Sequence, residues 1–338
     1  MYKVGLIEGT FIDDKRRAWS GFGGRPLRCS VWYPASREAV EEMYYLGPPG
    51  QALFHMGQVA VGVPVVERAD PFPVVLLSHG TGGTAKGLGW LGCRLAQRGY
   101  VAIGVDHHGN TATEPYLAEG FFCCWERARD LSAVFDQVSE EPLFQGRLDQ
   151  TRVFAAGFSL GGYTVLALAG AITDLAAYAV WQAEQGRFKG PREFPDLGER
   201  VGPLLGTSTE FRASRERHRR SYRDARVKAV YACAPAPPVR AFTAESLAAI
   251  EIPGGVIVGP ADTEVPYQEC ACWLAERIPG CRLTLLSASV GHYVFLCEAT
   301  AYGQATAPDI CLDAPGIDRR TIHNQTTEEM LALFQCTD

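Results

Sequence analysis

Two kinds of hydrophobic run alternate along this chain. Residues 3–12 and 28–33 read as two early strands, joined by a Gly-rich turn around residues 20–24. Residues 34–70 carry no clear period, contain Gly47-Pro-Pro-Gly50, and are expected to form an irregular surface excursion. Residues 73–78 are continuously apolar, the pattern of a parallel strand buried on both faces. A helix pattern over 87–98, a strand over 100–105 and an amphipathic helix over 126–139 follow. A strand begins near Arg152, and a long apolar helix pattern begins at Tyr163. From 171 to 224 the rhythm stops, with helical patterns, loops and charge but no convincing strand. It resumes with strands at 227–232, 255–258 and 282–286, helices near 244–249 and 268–277, and a closing helix over 318–334. Such alternation implies an α/β protein with a mainly parallel sheet and helices on both faces. The interruption is expected to be a helical cap, residues 171–224, inserted into a core of residues 1–170 and 225–338. It would lie over the carboxyl ends of the strands, where open α/β sheets place their sites.

The chemistry concentrates at one strand-to-helix junction, Gly157-Phe158-Ser159-Leu160-Gly161. Strand, Gly-x-Ser-x-Gly and helix together make the nucleophile elbow of α/β-hydrolases. A serine on so sharp a turn sits in a strained backbone, and residues two positions away must be small. The turn also aims the hydroxyl at a helix start, where free N–H groups favour a developing oxyanion. A serine hydroxyl needs a base, and the base needs an orienting acid. In this fold the order along the chain is Ser, acid, His. Three histidines follow Ser159. His218 lies in an Arg-rich stretch, and His323 falls inside the last helix pattern. His292 follows the last strand beside a glycine, and is the expected base. Asp262, just past the strand 255–258, is the expected acid; Glu264 is its local rival. One oxyanion donor is the N–H of Leu160, the residue after the nucleophile. The other is assigned to Thr81, in the Gly-rich turn His79-Gly-Thr-Gly-Gly83.

His107 and His108, after the strand 100–105, and Trp125 are expected to line the pocket. Neighbouring histidines point apart and no third ligand is evident, so no metal is expected. The arginines between 212 and 228 read as a solvated face paired with Glu216 and Asp224, with recognition of an anionic substrate as the alternative.

Composition changes this picture little. The 338 residues are 47% hydrophobic and 21% charged, which suits one large domain with an insertion. A net charge of −6 gives no global case for nucleic acid. The longest apolar stretch, broken by Asp174, is too interrupted for a membrane span. No charged-then-apolar leader opens the chain, so a cytoplasmic location is expected; a periplasmic or secreted one applies if a leader has been removed. Eleven cysteines is an odd count, so at least one thiol is free.

These pieces together resemble the bacterial dienelactone-hydrolase-like proteins related to platelet-activating-factor acetylhydrolases, within the α/β-hydrolases. The similar stretches are Arg28-Cys-Ser-Val-Trp-Tyr-Pro34, Ser78-His-Gly-Thr-Gly82, Asp106-His-His-Gly-Asn-Thr111, Arg127-Ala-Arg-Asp-Leu131, the elbow, Ser221-Tyr-Arg-Asp-Ala-Arg-Val-Lys-Ala229 and Gly291-His-Tyr-Val-Phe-Leu296. They span nearly the whole chain, in order. The resemblance implies ester hydrolysis without a cofactor, with Ser159 as nucleophile, His292 as base, and Thr81 and Leu160 as oxyanion donors. Two departures stand out. The eukaryotic-type acetylhydrolases carry their acid after the strand matching 227–232, where this chain has only Cys233-Ala-Pro-Ala-Pro-Pro238. Dienelactone hydrolases carry it after the next strand, as Asp262 would be, but use cysteine as nucleophile. The resemblance also implies cysteines around the final loop, matching Cys297 and Cys311, close enough to bridge.

The sequence thus points to a serine esterase acting on a small-molecule ester, with a short acyl chain. The alternatives are an amide or lactone hydrolase on the same triad, or a binding protein that keeps the fold.

Overall fold

The computed structural model describes residues 1–185 and 190–337. Eleven strands are found among them: β1 (Lys3–Arg17), β2 (Gly24–Ala35), β3 (Glu42–Leu46), β4 (Phe54–Val61), β5 (Phe72–Ser78), β6 (Val101–Asp106), β7 (Leu148–Phe158), β8 (Val227–Cys233), β9 (Gly254–Val258), β10 (Arg282–Leu285) and β11 (Glu298–Ala299). They form one sheet in the order β10-β9-β8-β7-β5-β6-β2-β1-β4-β11, with β3 on β4. The strands from β10 to β6 are parallel neighbours, and β2 runs antiparallel to both β6 and β1.

The apolar runs explain the centre. Every residue of β5, β6 and β9 is buried, because helices cover both faces. Helices α1 (Gly89–Gln97) and α12 (Arg319–Phe334) pack on each other, as do α3 (Glu126–Glu140) and α4 (Leu160–Ala169). Phe334 of α12 stacks on Phe154 of β7 at 4.4 Å between ring centres. Between α1 and α3 lies the short α2 (Ala118–Phe122).

Residues 34–70 are not the irregular excursion expected. They hold the hairpin β3–β4, and Gly47-Pro-Pro-Gly50 is its connection. Strand β4 pairs parallel with β1 through Ala60 and Val61, and antiparallel with β11 through Phe54 and His55. No clean alternation marks it, because it changes partners along its length. Strands β1 and β2 also run further than expected, with Asp13 opposite Arg25 and Arg17 opposite Gly24. Their outer ends are charged, so apolar periodicity is blind to them.

Among the described residues, three helices occupy the interruption: α5 (Leu175–Glu184), α6 (Leu197–Thr207) and α7 (Thr209–Glu216). Ser208 caps α7 by accepting the Phe211 N–H at 3.2 Å. Phe211 packs on Phe122 and Phe194 on Phe121, with ring centres 5.2 and 5.3 Å apart. Tyr178 stacks on Trp181 at 5.7 Å. Phe188 lies outside the described residues. Past β9 come a π-helical turn (Gln268–Cys272) and α9 (Trp273–Ala275), which begin at the expected position and end sooner; α8 (Ala244–Ala248) precedes β9. Two short helices, α10 (Ala301–Thr306) and α11 (Pro308–Cys311), were not legible in the pattern. Among the described residues no helix is long and apolar enough to cross a membrane.

Candidate active site

Strand β7 ends at Phe158 and α4 starts at Leu160, leaving Ser159 alone at the turn. Its backbone has φ 55° and ψ −117°, a conformation that costs an L-residue free energy. Surrounding bonds hold it there. The Ser159 N–H donates to the Cys233 carbonyl at 2.8 Å, and its own carbonyl accepts from Gly162 and Ala236 at 2.9 and 3.1 Å. The flanking glycines are required by contact. A Cβ on Gly157 would sit 2.1 Å from the Gly161 carbonyl oxygen, and one on Gly161 would sit 1.9 Å from that of Ser78.

His292 follows β10, and Asp262 follows β9. The structure brings both to Ser159. His292 Nε2 lies 3.1 Å from Ser159 Oγ, and His292 Nδ1 lies 2.6 Å from Asp262 Oδ2. A carboxylate only accepts, so Nδ1 carries the proton and Nε2 is free to accept from the serine hydroxyl. The other carboxylate oxygen, Asp262 Oδ1, accepts the Glu264 and Val265 N–H groups at 2.9 and 2.8 Å. Glu264, the rival acid, thus reaches the site through its backbone. Ser159, Asp262 and His292 are 8, 8 and 7% exposed, so their mutual bonds are little screened by water.

The turn after β5 lies against the serine: a Cβ on Gly80 would stand 3.2 Å from Ser159 Cβ. Among the described residues, neither the Thr81 nor the Leu160 N–H has an acceptor. Both belong to segments that meet at Ser159. Several side chains fix this turn. The Gly82 N–H donates to Asn110 Oδ1 at 2.8 Å, and Tyr116 Oη donates to the Gly82 carbonyl at 2.8 Å. The buried Arg127 guanidinium donates to the His79 carbonyl, and to Ser78 Oγ at 3.2 Å. His79 donates through Nδ1 to the Gly80 carbonyl at 2.6 Å. Asn110, Tyr116 and Arg127 were not singled out as site residues. The available signal was a charged Arg127 within the buried face of α3.

Residues 74–304 match the alpha/beta hydrolase family. The chain belongs to that family.

Cutinase est2 of Thermobifida alba is 32% identical over 110 residues, which are 32% of this chain and 33% of that protein. Cutinase 2 of Thermobifida cellulosilytica is 32% identical over 110 residues, 32% of this chain and 38% of that protein. The chain therefore spans about a third of the length of these curated relatives. A solved ferulic acid esterase from Streptomyces cinnamoneus aligns over 99% of this chain and 90% of its own, with a TM-score of 0.64. At 19% identity, that likeness is one of fold.

Other expected site residues of this α/β hydrolase are engaged elsewhere. His107 is buried, with Nδ1 on Asp130 Oδ2 at 2.8 Å and Nε2 on Ser78 Oγ at 2.9 Å. Burial foremost, and the Arg127 charge after it, push its pKa down to about 4. His108 bonds Glu114 Oε1 at 2.7 Å and accepts the Trp19 N–H at 3.3 Å. Trp125 is fully buried, and Nε1 donates to Ser214 Oγ at 3.0 Å. None of the three keeps a free polar atom for a substrate. The side chain that stands over the turn after β5 is Glu193: a Cβ on Gly82 would lie 2.8 Å from its Cγ.

His323 is buried, donating through Nε2 to the Val294 carbonyl at 2.9 Å, and stacks on Trp90 at 3.7 Å. Cys297 and Cys311 do not bridge; both are buried free thiols. The Cys297 Sγ turns to the Lys86 and Gly87 carbonyls, 3.3 Å from each. Two surface cavities, of about 40 and 490 Å³, include none of Ser159, Asp262 and His292. The bounded pocket expected over Ser159 is neither of these. Among the described residues no group of three or more metal-ligating side chains gathers.

Proposed function

We propose that this α/β hydrolase is a serine esterase that cleaves carboxylic esters through an acyl-enzyme. The observation that carries the reading is the unbroken line Asp262–His292–Ser159, with contacts of 2.6 and 3.1 Å, at a turn with two unpaired N–H groups. His292 Nε2 takes the Ser159 proton as Oγ attacks the ester carbonyl. Asp262 holds the imidazole tautomer and stabilises the imidazolium that forms. The Leu160 and Thr81 N–H groups receive the oxyanion, each worth about 3 kcal/mol of transition-state stabilisation. His292 then protonates the departing alkoxide, and water repeats the sequence on the acyl-enzyme.

Similarity to cutinases, and a shared fold with a ferulic acid esterase, support an ester as the substrate. A finer placement beside the dienelactone-hydrolase-like proteins rests on the acid following β9. Residues 171–224 are proposed to cap the site, supported by Glu193 standing over Gly82. A site closed in this way favours acetyl to butyryl esters, because a long acyl chain needs an exit. A panel of p-nitrophenyl esters and anilides tests the reading. Esters are expected to be hydrolysed far faster than anilides, since an amine leaves less readily than a phenolate. Comparable anilide rates would make it an amidase.

A further inference from the structure

The β1–β2 hairpin outgrows the sheet, and its charged end turns inward. Asp13, Arg16 and Arg25 are 7, 5 and 3% exposed. Arg16 Nη1 lies 2.7 Å from Asp130 Oδ1 and 3.3 Å from Glu126 Oε2, and Arg16 Nε donates to Asp13 at 2.5 Å. The same Glu126 carboxylate also meets Arg25 at 3.6 Å, Arg129 at 3.3 Å and Arg217 at 3.1 Å. Four guanidinium groups thus share three buried carboxylates.

A cavity of about 490 Å³ is lined by this cluster. Lys15 and Arg17 come from β1, Arg25 from β2, Arg129 from α3, and Arg217 and Arg220 from the chain beyond α7. Glu210 is the acid among the lining residues. Lys15, Arg17 and Arg220 have no ion-pair partner among the described residues. The cavity therefore holds more positive than negative charge. A second observation concerns the wall behind these side chains. Arg16, which lines the cavity, has a side chain only 3% exposed, and its Nη2 is buried without an acceptor among the described residues. The Nε of Arg217 is in the same position. Buried donors without acceptors are costly, and both add to the positive potential behind the cavity wall. The arginines beyond α7 belong to the basic stretch that reads in sequence as a solvated face. Here part of that stretch faces inward.

We propose that this cavity binds a small phosphate-bearing anion, at a site separate from Ser159. The cations converge from four different segments. A tetrahedral oxyanion offers acceptors in as many directions, whereas a planar carboxylate suits one or two guanidinium forks. The concave shape admits a small molecule. The net charge of −6 opposes an extended polyanion such as nucleic acid.

The test is isothermal titration of the full chain with inorganic pyrophosphate at 150 mM NaCl, with citrate as the carboxylate arm. One saturable site is expected, with Kd below about 1 mM. The double variant Arg17→Glu/Arg220→Glu should weaken it by roughly tenfold or more. Arg37→Glu, which does not line the cavity, should leave it unchanged. Both substituted arginines are exposed, so the fold is expected to survive, and an unchanged Tm without ligand checks this. Absence of saturable binding by 10 mM pyrophosphate overturns the proposal, as does equal affinity in the double variant. Citrate binding as tightly as pyrophosphate overturns the phosphate assignment.

Discussion

Ser159 stands at φ 55° because three backbone bonds and two close glycine contacts leave it no other place. At the scale of residues these distances have measurable consequences. Ser159→Ala and His292→Ala should each lower kcat by roughly 10⁴-fold or more while leaving the fold intact, since the residues act as a unit. Asp262→Asn should cost roughly 10³- to 10⁴-fold, through the wrong imidazole tautomer. Glu264→Gln should stay close to the wild-type rate, because only its backbone N–H reaches the acid; a large loss there would reverse the choice of acid. The buried histidines outside the triad make a different prediction. Burial pushes His107 down to about 4 and His323 to about 3, and holds His79 well below its ordinary value. The unfolded chain takes up protons below pH ~6.5 that these residues refuse when folded. Stability is then complete above that pH and falls as pH drops towards 4, by up to about 1.4 kcal/mol per pH unit for each such histidine. Tm recorded from pH 7.5 to 4.5 should decline, less steeply in His323→Gln. A flat Tm down to pH 5 would contradict the neutral, buried assignment.

At the scale of elements, the elbow depends on α4 lying hard against β5. Gly161→Ala places a methyl 1.9 Å from the Ser78 carbonyl oxygen, and backbone cannot yield as a side-chain end does. The expected loss is about 3 kcal/mol or more, with activity falling in parallel; thermal melts of the purified variant measure it. The thiols give a second check. All eleven cysteines are free, so denatured protein prepared without reductant should titrate eleven thiols, and reductant should leave Tm unchanged. Nine titratable thiols would restore a bridge. Elements were legible where pattern reflects burial. β5, β6 and β9 are apolar throughout and sit at the centre, and the elbow is fixed by steric need. The hairpin β3–β4 was not legible, because β4 changes partners and loses its alternation. The charged ends of β1 and β2 were hidden because ion pairs, not apolar contacts, bury them. The sequence places His107 and His108 at the pocket through their position after a strand end, and Trp125 through its loop. Sequence adjacency does not show that Asp130, Glu114 and Ser214 are waiting for them.

At the scale of the molecule, helices on both faces of one sheet carry three separated segments to one point, after β7, β9 and β10. Chain order alone anticipated that meeting, since the alternation fixes which loops share an end of the sheet. It could not anticipate how the turn after β5 is braced by Asn110, Tyr116 and Arg127, which come from elsewhere in the chain. Asn110→Ala removes the acceptor for the Gly82 N–H, so kcat should fall by roughly tenfold while KM stays within about twofold. A change confined to KM would place Asn110 in substrate binding instead. Across a series of acyl lengths, kcat/KM is expected to peak between acetyl and butyryl, and a maximum at octanoyl or longer would contradict the capped site. The proposed chemistry turns on the covalent step at Ser159. Rapid mixing with p-nitrophenyl acetate, acid quench and intact mass should show one acetyl group, mapped to the peptide containing Ser159. That adduct should be absent from Ser159→Ala. Substantial turnover by a folded Ser159→Ala protein, or an acetyl group on another residue, would contradict the account.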